Sequence, residues 1–373
     1  MKKMLFILPN LGGGGAERVI LKLAEFLNST NKVKADILIF KNIVDYDTSL
    51  FSSGRIIPVF PKDKKIKRNL FSFIFQMFKI SKNYDMLIGG LELFPSYLSI
   101  LIGKFQGKKV IITNHIFLSK YIEEVCPRSK ALLHKTLTMV INRFADCIVS
   151  VSAVATDDLK KNFFLPKSKL TYIYNPIDFA EINKLAQEPI ENKYKHIFLK
   201  KTIISIGRLD VQKGFDLLIK AAALIKNLDF NVVILGKGKD EKELKLLAKK
   251  LAIDDKIYFL GFQKNPFKFL KHSRCYVMSS RSEGFGIVLV EAMALGRPVI
   301  SVDCSAGPRE ILENGEYGIL VPAGDIKGLA NVIKESLEND ELIEYFSKKA
   351  IQRAKEFDIK LIGEKWLNLL SQI

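Results

Sequence analysis

The sequence predicts an α/β fold of two domains, each built on a doubly wound parallel sheet, that face each other across a cleft. Apolar runs of strand length alternate with amphipathic helical patterns along most of the 373 residues, which is typical of parallel sheets covered by helices on both faces. The length suits two domains with a core each. A polar, lysine-rich stretch over residues 180–201 separates the two series of elements.

The first domain, residues 1–174, begins with a predicted strand over 3–8, the glycine loop GGGGAER, and a helix over 17–27. Loop amides at the start of a helix suit an anion, although a tight turn without a ligand gives the same pattern. A dinucleotide site is disfavoured, because Asp36 is expected to precede the second strand, over 37–40, whereas that site needs an acidic residue at the strand's end.

Further strands are predicted over 86–88, 110–113 and 147–151. His115 follows the second of these, at the carboxyl edge of the expected sheet, where ligands bind in open α/β folds. A lone histidine is also a common structural residue, so both interpretations stay open.

Residues 61–83 join a basic run to a phenylalanine-rich helix whose polar positions form one stripe. One interpretation is an interfacial helix that places phenylalanines among lipid tails and lysines at anionic headgroups. The alternative is a helix of the first core that follows a solvated basic loop.

The second domain, residues 175–355, repeats the alternation of strand and helix. The loops that follow its predicted strands carry glycines and two cations, and all of them should converge on the carboxyl edge of one sheet. These loop residues are Gly207, Arg208, Lys213, Gly236, Gly238, Gly261 and Phe262. Arg208 and Lys213 are close enough in sequence for both side chains to reach one diphosphate.

The stretch SRSEGFGIVLVEAMA, residues 280–294, is the main site candidate. A loop with Gly284 and Gly286 around Phe285 opens a buried helix, so its first amides suit a phosphate. Glu283 and Glu291 are better acceptors for sugar hydroxyls than for phosphate. Two glutamates eight residues apart also occur by chance on solvated helices; together with the cations they indicate a nucleotide-sugar site.

The net charge of +18 is uneven, with 27 basic and 14 acidic residues in 1–180 against 31 and 26 in 181–373. The first half should therefore attract an anionic partner. Most aromatic residues lie in apolar runs, which disfavours a nucleic-acid-binding protein. The four cysteines show no paired spacing, which favours a reducing compartment without zinc.

Two apolar stretches are not expected to be targeting or membrane segments. The apolar part of residues 1–9 is too short for a signal peptide. Residues 87–103 contain Glu92 and Pro95, so they do not qualify as a membrane span.

The ordered segments GRLDVQKGFD, LGKGKDEKEL, LGFQKNP, SEGFGIVLVEAMALGRPVIS and SAGPREILENGEYGILVP resemble the second domain of a family 4 retaining glycosyltransferase with the GT-B fold. GGGGAER and NPID are similar to that family's first domain and linker. The residues of these segments resemble those of the family branch that builds bacterial lipid-linked oligosaccharides or lipopolysaccharide.

The resemblance implies transfer of a sugar from a nucleoside diphosphate, with UDP as the expected carrier, and with retention at the anomeric carbon. Arg208 and Lys213 would hold the diphosphate, Glu283 the transferred sugar and Glu291 the ribose. The amides of Phe285, Gly286 and Ile287 would complete the phosphate cradle, and the loop at Phe262 would hold the base. His115 would lie near the transferred sugar, and Gly14 and Gly15, in the loop 12–15, near its phosphates.

The resemblance also implies a first domain that binds the acceptor, a second domain that binds the donor, and a helix over 356–373 that packs back toward the first domain. No cofactor or metal is expected, since the cations and amides themselves neutralise a departing diphosphate. The expected location is cytoplasmic; peripheral attachment to the inner membrane through residues 61–83 is expected only if that segment is the interfacial helix of the first interpretation, not the core helix of the second. A sugar-nucleotide epimerase of the same fold is the alternative enzyme.

Overall fold

The computed structural model describes residues 1–12, 14–45, 51–124, 126–304 and 306–373. It divides into two compact units. The first comprises Met1–Pro176 together with Ile359–Ile373, and the second comprises Ile177–Asp358.

The first unit is built on a seven-stranded sheet in the order β3-β2-β1-β4-β5-β6-β7, in which all the strand pairs are parallel. Its strands are β1 Lys2–Leu8, β2 Val33–Lys41, β3 Ile56–Phe60, β4 Met86–Gly89, β5 Lys109–Asn114, β6 Cys147–Ser150 and β7 Leu170–Tyr172. Its helices are α1 Gly15–Ser29, α2 Leu70–Ser81, α3 Phe94–Phe105, α4 Leu118–Glu124, α5 Arg128–Ile141, α6 Ala153–Phe163 and, at the end of the chain, α16 Ile359–Gln372.

The second unit has a six-stranded sheet in the order β10-β9-β8-β11-β12-β13, again with parallel pairs. Its strands are β8 Lys201–Ile206, β9 Phe230–Leu235, β10 Ile257–Gly261, β11 Cys275–Met278, β12 Val299–Asp303 and β13 Ile319–Pro322. Its helices are α7 Phe179–Leu185, α8 Asn192–Lys195, α9 Phe215–Leu224, α10 Glu241–Lys250, α11 Phe267–His272, α12 Ile287–Ala294, α13 Ala306–Ile311, α14 Ile326–Glu338 and α15 Asp340–Ala354.

The predicted α/β class with two parallel sheets is confirmed. The central strands are buried on both faces, as their unbroken apolar runs indicate: every residue of β4, β6, β9 and β11 is buried. The apolar stretch 87–103 is not one element: it contributes to β4 and then to α3, whose first turn contains Pro95.

The predicted position of Asp36 is wrong. It lies inside β2, which begins at Val33, and it is buried. Its carboxylate accepts hydrogen bonds from the Arg55 guanidinium at 2.8 Å and from the Tyr84 hydroxyl at 2.7 Å. Burial alone would raise the pKa of Asp36, but these bonds outweigh burial and lower it. A charged residue normally indicates a loop, but a buried aspartate is tolerated inside a strand when its carboxylate is paired.

The last helix, α16, packs against α1 in the first unit. Ile362, Trp366, Leu367 and Leu370 join the core formed by α1, β1 and β2. Gly363 lies directly against the ring of Phe26, where an added Cβ would overlap the ring carbons. Within the described ranges, no helix is both long and apolar enough to cross a bilayer.

Candidate functional site

The loops that follow β8, β9 and β10 are hydrogen-bonded to one another at the carboxyl edge of the second sheet. The Gly207 amide donates to Leu235 O at 3.0 Å, and the Gly236 amide donates to Gly261 O at 2.8 Å. Leu209 N donates to Lys237 O at 3.0 Å. The predicted loop residues therefore lie along one continuous edge, as parallel strands require.

Close backbone contact explains two of the glycines on this edge. Gly236 has φ +141°, and a Cβ there would overlap the carbonyl oxygen of Gly207. Gly238 lies in the same way against Leu209 O. At both positions the residue type is fixed by the contact between two loops, whether or not a phosphate also approaches them.

Lys213 and Glu283 form an ion pair at the centre of the edge. Lys213 Nζ lies 2.6 Å from Glu283 Oε1, and Ser280 Oγ donates to the same oxygen at 2.7 Å. Glu283 is buried. The carboxylate is thus held by two donors, and the ammonium group is fixed beside it.

The second glutamate lies on the short buried helix that follows this loop. Glu291 is buried within α12. The buried Tyr276 hydroxyl has its pKa raised by burial first and then by the charges of Glu283 and Glu291. The charges of both carboxylates therefore affect one and the same buried hydroxyl group, that of Tyr276.

The helix α12 begins directly after the loop that carries Glu283. Gly286, with φ +89°, is the residue before the helix, and Ile287 is its first residue. The ring of Phe285 is buried and packs edge-on against Phe357 at 5.7 Å between centroids. Gly284 precedes them in the loop. Amides at a helix start carry partial positive charge, which stabilises an anion.

Arg208 and Phe262 extend from the same edge toward solvent. The Arg208 side chain is 70% exposed, and its Nε lies 3.5 Å from the Asp210 carboxylate. Phe262, just after β10, is exposed although it is aromatic. An exposed guanidinium can move to meet a ligand phosphate at little cost in buried contacts.

The sequence analysis did not predict a set of hydrogen bonds that join the loop after β8 to the loop after β11. The Arg281 guanidinium makes two hydrogen bonds to Asp216, at 2.7 and 2.8 Å, and its backbone amide donates to Gln212 O. Gln212 Nε2 donates to Ser282 O at 3.0 Å. These contacts fix the loop of Glu283 against the loop of Lys213.

In the first unit, a carboxylate of α1, that of Glu17, lies against the glycine loop. Gly14 precedes α1, and the Glu17 carboxylate lies where a Cβ on Gly14 would be placed. Gly15 is the first residue of the helix, and Arg18 N bonds to Gly14 O at 3.3 Å. Gly13 lies outside the described residues. The predicted anion position is therefore shared with a carboxylate, which itself favours a helix start.

His115 lies at the end of β5, as predicted, beside a glutamate that the sequence did not single out. Its ring Nε2 lies 3.0 Å from Thr113 Oγ1, and its backbone amide donates to the Glu92 carboxylate. Burial lowers the pKa of His115 to about 4 and raises that of Glu92 to about 7. The imidazole is thus neutral at neutral pH.

We expect Glu92→Gln to stabilise the protein above neutral pH. Between pH 4.5 and about 7 the folded state keeps a proton on Glu92 that the unfolded chain has lost, so this contribution to stability falls as pH rises through that interval. Glutamine does not titrate, so the variant avoids this loss of stability, and its side-chain carbonyl can still accept the hydrogen bond from the His115 backbone amide. The variant should gain roughly 1–3 kcal/mol over the wild type at pH 8 but little at pH 5, measured by urea unfolding.

Glu123→Gln, at an exposed position of α4, is the matched control and should change stability equally at both pH values. His115 works in the opposite direction: between pH 6.5 and about 4 the unfolded chain gains a proton that folded His115 does not take up, so this contribution to stability falls as pH falls. An identical pH profile for Glu92→Gln and the wild type would show that Glu92 is not protonated in the folded protein.

Over the described ranges, no group of three or more histidine, cysteine, aspartate or glutamate side chains is placed to hold a metal ion. The four cysteines are free thiols.

The chain matches two family descriptions and several known proteins. Residues 187–353 match Glycosyl transferases group 1, and residues 13–181 match Glycosyltransferase Family 4. It is 30% identical, over 99% of this chain and 100% of the relative, to the Campylobacter jejuni N-acetylgalactosamine-N,N'-diacetylbacillosaminyl-diphospho-undecaprenol 4-alpha-N-acetylgalactosaminyltransferase. It is 22% identical, over the whole of both chains, to the amylovoran biosynthesis glycosyltransferase AmsD of Erwinia amylovora.

Among solved structures, it is similar to the Anabaena protein HepE in complex with UDP-glucose. The TM-score is 0.83 at 20% identity, over 100% of both chains. At this identity the likeness concerns the fold.

Proposed function

The chain belongs to the family 4 glycosyltransferases, and from this we propose that it transfers a sugar from a UDP-sugar, with retention of anomeric configuration, to a lipid-linked glycan. A lipopolysaccharide or capsule precursor is the second acceptor class in this proposal. The names of the relatives support it: one acts on a diphospho-undecaprenol-linked glycan and another in amylovoran biosynthesis. The UDP-sugar complex of a protein with the same fold supports the donor.

The observation that carries the proposal is the ion pair of Lys213 and Glu283 beside the first amides of α12. A leaving UDP gains negative charge as the bond between its β-phosphate oxygen and the sugar C1 breaks. Lys213, Arg208 and the amides of residues 285–287 would stabilise that charge, and no bound metal is required for it. Glu283 would bind hydroxyls of the transferred sugar, and Glu291 those of the ribose.

The acceptor hydroxyl would form the new bond to C1 on the face that the diphosphate leaves, and its proton would pass to a diphosphate oxygen. Neither glutamate then needs to act as the nucleophile, in contrast to the retaining glycosidases. In the first unit, neutral His115 would donate or accept a hydrogen bond at the transferred sugar. Gly14 and Gly15 would lie near the phosphates.

In this proposal the first unit binds the acceptor, the second binds the donor, and Phe262 packs against the base. The protein would act in the cytoplasm at the inner face of the membrane, since that is where a lipid-linked acceptor and a soluble nucleotide sugar meet. An epimerase of the same fold would release a changed sugar from the donor alone, and the family names favour transfer.

Binding of UDP tests the donor site before any acceptor is known. UDP at a concentration 100 times its Kd should raise the stability of the wild type by about 2.7 kcal/mol, seen as a rise in Tm. Glu291→Ala should weaken binding by at least about tenfold through loss of the ribose contact. Glu338→Ala, at an exposed position at the end of α14, is the control and should bind UDP like the wild type. Equal Tm shifts in Glu291→Ala and the wild type would remove Glu291 from the site.

A further inference from the structure

We infer that the outer surface of the helix layer formed by α2, α3 and α5 docks on an anionic lipid bilayer. This surface is called the lipid face below. Its exposed apolar side chains are Phe71 and Phe75 on α2, Leu101 and Phe105 on α3, and Leu132 and Val140 on α5. The inference rests on the proposed function for its purpose, since the proposed acceptor carries a lipid, but its observations are independent of the donor site.

The three helices lie side by side on one face of the first sheet. They connect β3 to β4, β4 to β5 and β5 to β6, and all three connections run in the same direction across the strand order. Right-handed crossovers therefore put them on one face, opposite α1, whose connection runs the other way. α3 packs against both α2 and α5.

Each of the three helices carries exposed apolar residues as well as buried or partly buried ones. On α2, Phe73 and Met77 are buried while Phe71 is 87% exposed. On α3, the exposed apolar positions Phe94, Leu101 and Phe105 follow a spacing of seven and four. Phe105 is 83% exposed. The outer side of a surface helix is ordinarily polar, so three neighbouring apolar stripes indicate a partner.

The α5 helix continues the same surface beyond α3. Leu132 is 75% exposed, and Leu133 and Val140 are exposed on the same helix. The turn after α5 adds exposed Phe144, and the neighbouring Phe164 is also exposed, with its carbonyl oxygen accepting from Arg143 at 3.1 Å. At the other junction, the rings of Phe78 on α2 and Phe105 on α3 are in contact, 5.7 Å between centroids. The lipid face is therefore continuous from α2 to α3, and α5, which packs against α3, extends it.

Cations border the lipid face and identify the partner's charge. Residues 61–83 carry seven basic residues and one acidic residue, a net charge of +6. Residues 130–143 carry Lys130, Lys135 and Arg143 and no carboxylate. Basic residues are attracted to the surface of an anionic bilayer, and phenylalanines insert at the boundary of headgroups and acyl chains.

A second copy of the chain fits this surface less well than a bilayer does. Two lipid faces packed together would bring two segments of charge +6 close to each other, and like charges repel across an interface. An anionic bilayer supplies both an apolar layer and the opposite charge, so lipid is the partner that complements both features.

The test is co-sedimentation of the full-length protein with vesicles of phosphatidylglycerol and phosphatidylcholine, across a salt series. We expect the wild type to bind the anionic vesicles, to bind neutral vesicles at least about tenfold more weakly, and to lose binding as salt rises. Three separate double variants, Phe71→Ser with Phe75→Ser, Leu101→Ser with Phe105→Ser, and Leu132→Ser with Val140→Ser, should each lower partitioning by about tenfold.

The matched control is Leu199→Ser with Leu246→Ser, two exposed leucines of the second unit, which should partition like the wild type. The stabilisation by UDP is measured on the same samples and should be unchanged in every variant. Vesicle binding without UDP binding would overturn the proposed donor but support the lipid face. UDP binding without vesicle binding would overturn the lipid face but support the proposed donor.

Three results would overturn the inference. The wild type could bind neutral and anionic vesicles equally, which would remove the role of the cations. Only the α2 variant could lose binding, which would confine the contact to that helix. The wild type could be a dimer that the same variants make monomeric, which would assign the surface to a second copy.

Discussion

Replacing Arg208 or Lys213 by an uncharged residue is expected to lower the kcat of sugar transfer by about 10²–10³-fold, but with effects of different size on folding. Arg208 is 70% exposed, so Arg208→Ala should change the free energy of unfolding by less than about 0.5 kcal/mol. Lys213→Met leaves the buried Glu283 without its cation and should cost about 1–3 kcal/mol of stability.

A double variant separates the two effects of Lys213. Lys213→Met combined with Glu283→Gln removes both charges, so it should recover most of the lost stability without recovering transfer. Lys250→Ala, an exposed cation at the end of α10, is the charge-matched control and should keep wild-type activity. Turnover by Arg208→Ala within threefold of the wild type would contradict the proposed role of the guanidinium.

The largest expected effect on stability comes from Gly236→Ala. The added methyl group would overlap Gly207 O at a backbone with φ +141°, so the loops after β8 and β9 would have to separate. We expect a loss of about 3–5 kcal/mol in the free energy of unfolding, measured by urea denaturation, together with weaker UDP binding.

Gly324→Ala is the control for backbone strain alone. Gly324 also has a positive φ, +83°, but an added Cβ there would meet no atom within 4 Å. This variant should lose only about 1 kcal/mol. If both alanine variants were equally destabilised, the overlap with Gly207 O would not be the cause.

The sequence predicted the second unit well because its site residues lie directly after the strands that position them. The elements between β8 and β13 alternate regularly, and the loop residues Gly207, Lys213 and Glu283 fall at strand ends, so parallel topology alone brings them to one edge. The assignment of ligand roles to these residues remains a prediction.

Contacts between residues distant in sequence could not be predicted. The Arg281 guanidinium reaches Asp216, 65 positions earlier, and the His115 amide reaches Glu92, 23 positions earlier. A buried aspartate in β2 looks like a loop residue until Arg55 and Tyr84 are placed around it. Periodicity gives the spacing of apolar residues but not which side is covered, so neither interpretation of residues 61–83 could be chosen from the pattern.

For α2 the structure combines features of both interpretations. Phe73 and Met77 belong to the core, as a buried helix requires, whereas Leu70, Phe71, Ile74 and Phe75 are exposed. The apolar residues of α2 therefore lie both on its buried side and on its exposed side.

The most direct test of the account is transfer itself, followed in a chelating buffer with a radiolabelled UDP-sugar and a diphospho-undecaprenol-linked glycan. We predict that label passes to the lipid fraction with one UDP released per sugar, that the new linkage keeps the donor's α configuration, and that Arg208→Ala loses the reaction. An inverted linkage, a requirement for added metal, or a changed sugar nucleotide formed without acceptor would contradict a retaining transferase whose cations and helix amides bind the leaving diphosphate.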